Sequence, residues 1–111
     1  MGTRREQRVR GILPVKVAGI DKSGKSFSLL AHTVDLSVNG LRIAGTFPDL
    51  AMSSRLSVHF QRQKATFEVV RVVRIGPVLE VGLRLVSGTI VWGANFEPGY
   101  VDEFSGKFKP A

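Results

Sequence analysis

Cysteine is absent from the 111 residues, which excludes a disulfide framework and a thiolate metal site and fits a reducing compartment. Histidine is nearly as scarce. The only two, His32 and His59, fall on separate predicted strands and stand in no His-Glu-x-x-His or other metal-ligand spacing, so they read as solvated strand residues. Long apolar runs are also missing. The longest stretch without charge, Leu85 to Phe96, spans 12 residues, against the roughly 18 or more needed for a membrane helix. No uninterrupted apolar run follows the arginines of residues 1–10, so no secretory leader and a cytoplasmic location are expected. Ser37 lacks a Gly-x-Ser-x-Gly elbow, and Ser37 and Asp35 on one turn point poorly for a relay with a histidine, so an enzyme is not expected. Acidic residues are few as well: 9 against 16 Lys and Arg, a net charge of +7. The imbalance is uneven, since residues 1–89 carry +8 and the remainder −1. An anion, a phosphate group or an acidic surface is the partner this charge suits.

What is present reads as strands. Val15 and Val17 open an extended stretch over residues 12–20, the polar turn 21–25 joins it to residues 27–34, and Leu41, Ile43 and Ala44 begin a short third strand. Residues 45–54, with Pro48 and Asp49, hold too many breakers for a strand and predict a loop, with room for one helical turn. Leu56, Val58 and Phe60 alternate with polar residues, as do Leu79, Val81, Leu83 and Leu85. Between them, Val69-Val70 and Val72-Val73 interrupt the alternation of residues 65–75, which predicts a bulge or two-sided burial. Six short strands with hairpin-length links predict an all-β, six-stranded antiparallel barrel, because closure removes exposed edges. The organisation expected is a basic, mobile N-terminal arm at 1–10, a barrel at 11–88 and an aromatic-rich tail at 89–111. Trp92, Phe96, Tyr100, Phe104 and Phe108 recur every four residues in that tail, but Gly93, Pro98, Gly99 and Gly106 forbid one continuous helix. A short helix near residues 98–105 or an irregular tail is expected, its rings either covering an open barrel end or docking a partner.

Two motifs stand out. Arg4-Arg5-Glu6-Gln7-Arg8 supplies Arg-x-x-x-Arg, and about thirty residues on Asp35-Leu36-Ser37-Val38-Asn39-Gly40 supplies Asp-x-Ser-x-x-Gly, a polar turn in which Gly40 offers a positive φ or close approach. In this order, in a small strand-rich chain, they resemble the PilZ domain family of bacterial cyclic di-GMP receptors. Val72-Val73-Arg74-Ile75 and Val81-Gly82-Leu83 are similar to that family's later strands, so the resemblance covers roughly residues 4–86. It implies the split barrel, cyclic di-GMP as ligand with no cofactor or metal, and second-messenger signalling to an unidentified protein effector.

The same resemblance implies that Arg4, Arg8, Asp35, Ser37 and Gly40 bind the ligand; Arg5 and Arg10 match no fixed position of the family and are expected, with Asn39, to act as helpers. The chemistry suits these residue types. Arginine's planar fork matches two phosphate oxygens or the O6/N7 edge of guanine, and its plane stacks on a base. A carboxylate such as Asp35 accepts from guanine N1–H and the exocyclic amine, and Ser37 reaches a phosphate or base. The free arm is expected to be mobile and to become ordered over the bound dinucleotide. Two other functions are weighed. A nucleic-acid-binding small barrel suits the ten arginines, but no predicted strand exposes the aromatics that stack bases, since Phe60 and Phe67 fall on apolar faces. A PilZ-like adaptor that engages protein without ligand exists in the family but usually lacks these motifs.

Overall fold

Alternating β-branched and polar residues, punctuated by Gly and Pro, favour strands over helices. The computed structural model describes residues 5–37, 39–93, 97–102 and 108–110, with side chains over 10–37 and 39–93. Its strands are β1 (Arg5–Arg10), β2 (Pro14–Ile20), β3 (Ser26–Ser37), β4 (Gly40–Gly45), β5 (Arg55–Phe60), β6 (Gln63–Ile75), β7 (Val78–Gly88), β8 (Glu97–Asp102) and β9 (Phe108–Pro110). Among the described residues there is no helix. Hydrogen bonding runs in the order β2-β5-β6-β7-β4-β3, and β3 pairs back onto β2, so six antiparallel strands close on themselves. This is the predicted barrel. The sheet then continues from β3 through β1 and β8 to β9.

Period-2 alternation sends one side of each strand inward. Val17, Ile43, Val58 and Val81 are fully buried, and Val15, Leu41, Leu56, Phe67, Val69 and Leu83 nearly so; each such side chain contributes about 1.5–3 kcal/mol relative to exposure. The valine doublets of β6 are explained by a register shift between Val69 and Arg71, which leaves Val70 as an extra, exposed residue. Gly76, at a φ of 62°, occupies the left-handed position that a two-residue hairpin with Pro77 requires between Ile75 and Val78.

Residues 45–54 form a loop anchored by buried Phe47 and Leu50, with Phe47 edge-on to Phe27 at 6.3 Å. At the opposite end Trp92 lies 4.9 Å from Phe60, and Val91 is tied to the Gln63 amide by bonds of 2.7 and 2.9 Å. Trp92 therefore covers a barrel end, as one of the two expectations for the tail rings had it. The other tail rings lie outside the described side chains. Two expectations are corrected. Residues 5–10 are a sheet strand rather than an unpaired arm, because β3 offers them a vacant edge. Residues 97–102 are extended rather than helical, paired along β1 from Arg5 opposite Asp102 to Arg10 opposite Glu97, since Pro98 and Gly99 disfavour a helix more than an outer strand.

Candidate functional site

The site begins with a mismatch of strand lengths. β2 pairs with β3 only over Ser26–His32, and the same edge of β3 runs on through Asp35–Ser37, where bare N–H and C=O groups need partners. β1 supplies them. Arg8 lies opposite Ser37, Val9 opposite Leu36 and Arg10 opposite Asp35. Between β1 and β2 the chain bends at residues 11–13, and Thr33, completely buried, holds the bend. Its Oγ1 donates to the Gly11 carbonyl at 2.5 Å and accepts from the Leu13 N–H at 2.9 Å, while its own N–H donates to the Leu13 carbonyl at 2.9 Å. Two motifs thirty residues apart in the chain thus meet on neighbouring strands.

A second local feature aims the carboxylate. The β3–β4 register shifts between Thr33 and Asp35, so that Thr33 faces Ile43 while Asp35 faces Arg42. Thr33 and Ile43 point into the core, and strict alternation would send Asp35 there too. The extra residue, Val34, turns it to the outer face, the re-aiming that bulges commonly perform. Asp35 is nevertheless only 4% exposed, and a buried carboxylate needs charge and hydrogen bonds around it. Arg42 provides both: Nη2 donates to Oδ2 at 2.5 Å and Nε to Oδ1 at 3.4 Å. The same guanidinium donates through Nη1 to Glu80 Oε1 on β7 at 3.2 Å. Burial opposes the charge on Arg42, but hydrogen bonding and attraction from Asp35, then Glu80, outweigh it and hold the guanidinium above the usual arginine range.

The turn is fastened separately. Ser37 Oγ donates to the Gly40 carbonyl at 3.4 Å, and the Asn39 carbonyl accepts from Leu85 N–H at 2.9 Å, tying the turn to β7. Gly40 does not take the positive φ expected of it. It serves close approach instead: a Cβ there would come within 2.9 Å of the Leu83 carbonyl oxygen and 3.3 Å of Ser37 Oγ. Opposite Gly40 stands Arg84, more than half exposed and paired with Glu68.

The predicted residues Arg8, Asp35, Ser37 and Gly40, with Arg10 and Asn39, are therefore gathered on β1, β3 and the start of β4. Arg4 lies outside the described residues. Arg5 pairs along β8 opposite Asp102, beyond the stretch of β1 that meets β3. Thr33, Arg42 and Glu80 were missed. Alternation of Leu41 and Ile43 already sets Arg42 on the outer face, but its pairing with Asp35 depends on the bulge, which no residue pattern announces. Of the histidines, His32 is exposed and His59 Nε2 lies 3.0 Å from Ser57 Oγ. Among the described residues no cluster of three or more His, Asp or Glu is arranged to hold a metal, and no helix is long and apolar enough to cross a membrane.

A closed six-stranded barrel carrying an arginine-bearing strand beside a polar turn defines a small antiparallel β-barrel domain. The chain belongs to the PilZ domain family, whose model matches residues 2–91, a family of cyclic di-GMP-binding domains rather than enzymes. No curated protein matches it.

Proposed function

We propose that this chain is a cyclic di-GMP receptor that signals to a protein effector through the surface formed by β1 and the Asp35–Gly40 turn. The observation that carries this is the β1–β3 register, Arg8 opposite Ser37 and Arg10 opposite Asp35, which sets arginine positions of one motif beside acceptor positions of the other. In this reading Arg4 and Arg8 bind phosphate or stack on guanine. Asp35 accepts from the guanine edge, Ser37 binds phosphate or base, and Gly40 keeps the turn low. Arg5, Arg10 and Asn39 contribute field and secondary contacts. Three register pairs join β1 to β3, so a bound dinucleotide bridging the two strands stabilises that seam and alters what a partner meets. The energy for this change comes from the ligand's preference for the closed seam. A nucleic-acid role is less well supported, because Phe60 and Phe67, the aromatics of β5 and β6, are buried and offer no stacking platform.

Isothermal titration with cyclic di-GMP tests the proposal. Micromolar binding, about 8 kcal/mol, lies within reach of a few bidentate arginine contacts at roughly 1–3 kcal/mol each. Absence of heat and of any rise in melting temperature at saturating ligand, with the protein folded, would transfer the function to the ligand-independent adaptor.

A further inference from the structure

We infer that Arg42, anchored by Glu80, is a positioning residue that sets the guanine selectivity of the site without contacting the ligand. The inference rests on the cyclic di-GMP reading and adds to it a determinant outside both sequence motifs. Selectivity for guanine over adenine requires a carboxylate whose plane is fixed, because two adjacent N–H donors on the base edge must meet two oxygens at once. A carboxylate rotating about its Cβ–Cγ bond still attracts positive charge but no longer matches a donor pair. In this protein Arg42 opposes that rotation. Its Nε and Nη2 take one oxygen each, at 3.4 and 2.5 Å, the side-on fork that only arginine among the cations can present.

Of the roughly four acceptor positions on a carboxylate, the fork occupies two and thereby fixes the plane of the group. Arg42 is itself held: its third nitrogen reaches Glu80 at 3.2 Å, and its side chain is 28% exposed. The result is a brace across three strands, β3, β4 and β7, which lie in register with Asp35 opposite Arg42 and Ala44 opposite Glu80. Glu80 matters because a guanidinium bound on one side only would be free to leave Asp35 for the ligand's phosphates. With both sides taken, Arg42 stays with the carboxylate and leaves phosphate binding to the arginines of β1.

The test compares cyclic di-GMP with cyclic di-AMP, titrated calorimetrically into the full chain and its variants. Arg42→Gln, which removes the fork, should lower the guanine preference by about tenfold or more, and Glu80→Gln, which takes the charge from the anchor but leaves an acceptor oxygen, by about threefold. Arg42→Lys keeps the charge and the compensation of Asp35, so it guards against an unfolded glutamine variant; its single donor point should still lose most of the preference. Combined with Asp35→Ala, neither change should have a further effect on selectivity, a coupling that a merely structural role for Arg42 does not produce. Folded Arg42→Lys and Glu80→Gln proteins that keep the full wild-type preference, while Asp35→Ala loses it, would overturn the inference and leave the receptor reading intact. A wild-type protein that binds neither dinucleotide would overturn both.

Discussion

Replacing Thr33 by valine separates the seam between β1 and β3 from everything else in the barrel. Valine has the same branched shape, so no cavity opens at a site that is completely buried. What is lost is the donor to the Gly11 carbonyl and the acceptor for the Leu13 N–H. A neutral hydrogen bond contributes about 0.5–1.5 kcal/mol net, and an orphaned buried group costs about 1–3 kcal/mol. Gly11 and Leu13 are only half-buried, so water relieves part of the penalty, and a total near 2 kcal/mol is expected. For a domain of this size that is a fall of about 8 °C in melting temperature. Thr33→Ser keeps the hydroxyl and controls for it. Amide exchange should speed up across residues 5–13 in the valine variant more than in β5–β6, because the bend that delivers β1 to β3 is what has been loosened. A valine variant that melts within about 2 °C of wild type, with unchanged exchange at residues 5–13, would refute the idea that Thr33 holds the arm to the barrel.

Arg8→Ala should weaken cyclic di-GMP binding by roughly tenfold or more and flatten its salt dependence, since a charge-assisted contact is lost; titrations at two ionic strengths check both. Gly40→Ala should cost about 1–3 kcal/mol of stability and reduce binding, because the new Cβ meets the Leu83 carbonyl at 2.9 Å and β4 must shift; thermal melts with and without ligand measure this. Trp92→Ala removes the ring packed on Phe60 at 4.9 Å and should lower stability by about 1–3 kcal/mol while leaving the ligand affinity of the folded protein unchanged, as denaturant titration and calorimetry would report.

The barrel was legible in the chain because its signals are local and repeated. Val15/Val17, Leu56/Val58/Phe60 and Leu79/Val81/Leu83 each show the two-residue period of a half-buried strand, and the turns at 21–25 and 76–77 carry Gly, Asp or Pro where the chain reverses. The valine doublets of β6 even disclosed a bulge. Its counterpart beside Asp35 stayed hidden, since Thr33-Val34-Asp35 alternates as plausibly without an extra residue as with one. That single insertion decides whether Asp35 enters the core or meets Arg42, so the brace to Glu80 was hidden with it. The arm was misjudged for a different reason. Four arginines in residues 1–10 do not tell whether such a segment pairs, which depends on a vacant strand edge, and the length of β3 relative to β2 is a property of the assembled sheet.

The most direct test of the account is a chemical-shift map of backbone amides during titration with cyclic di-GMP. Perturbations should concentrate at Arg8 and Arg10 on β1, at Asp35, Ser37 and Gly40 around the turn, and at Arg42 beside them. The β5–β6 hairpin around His59 and Lys64, on the far side of the barrel, should change little. Saturating shifts confined to that hairpin, or none anywhere in the folded protein, would contradict the assignment of the ligand to the seam of β1 and β3.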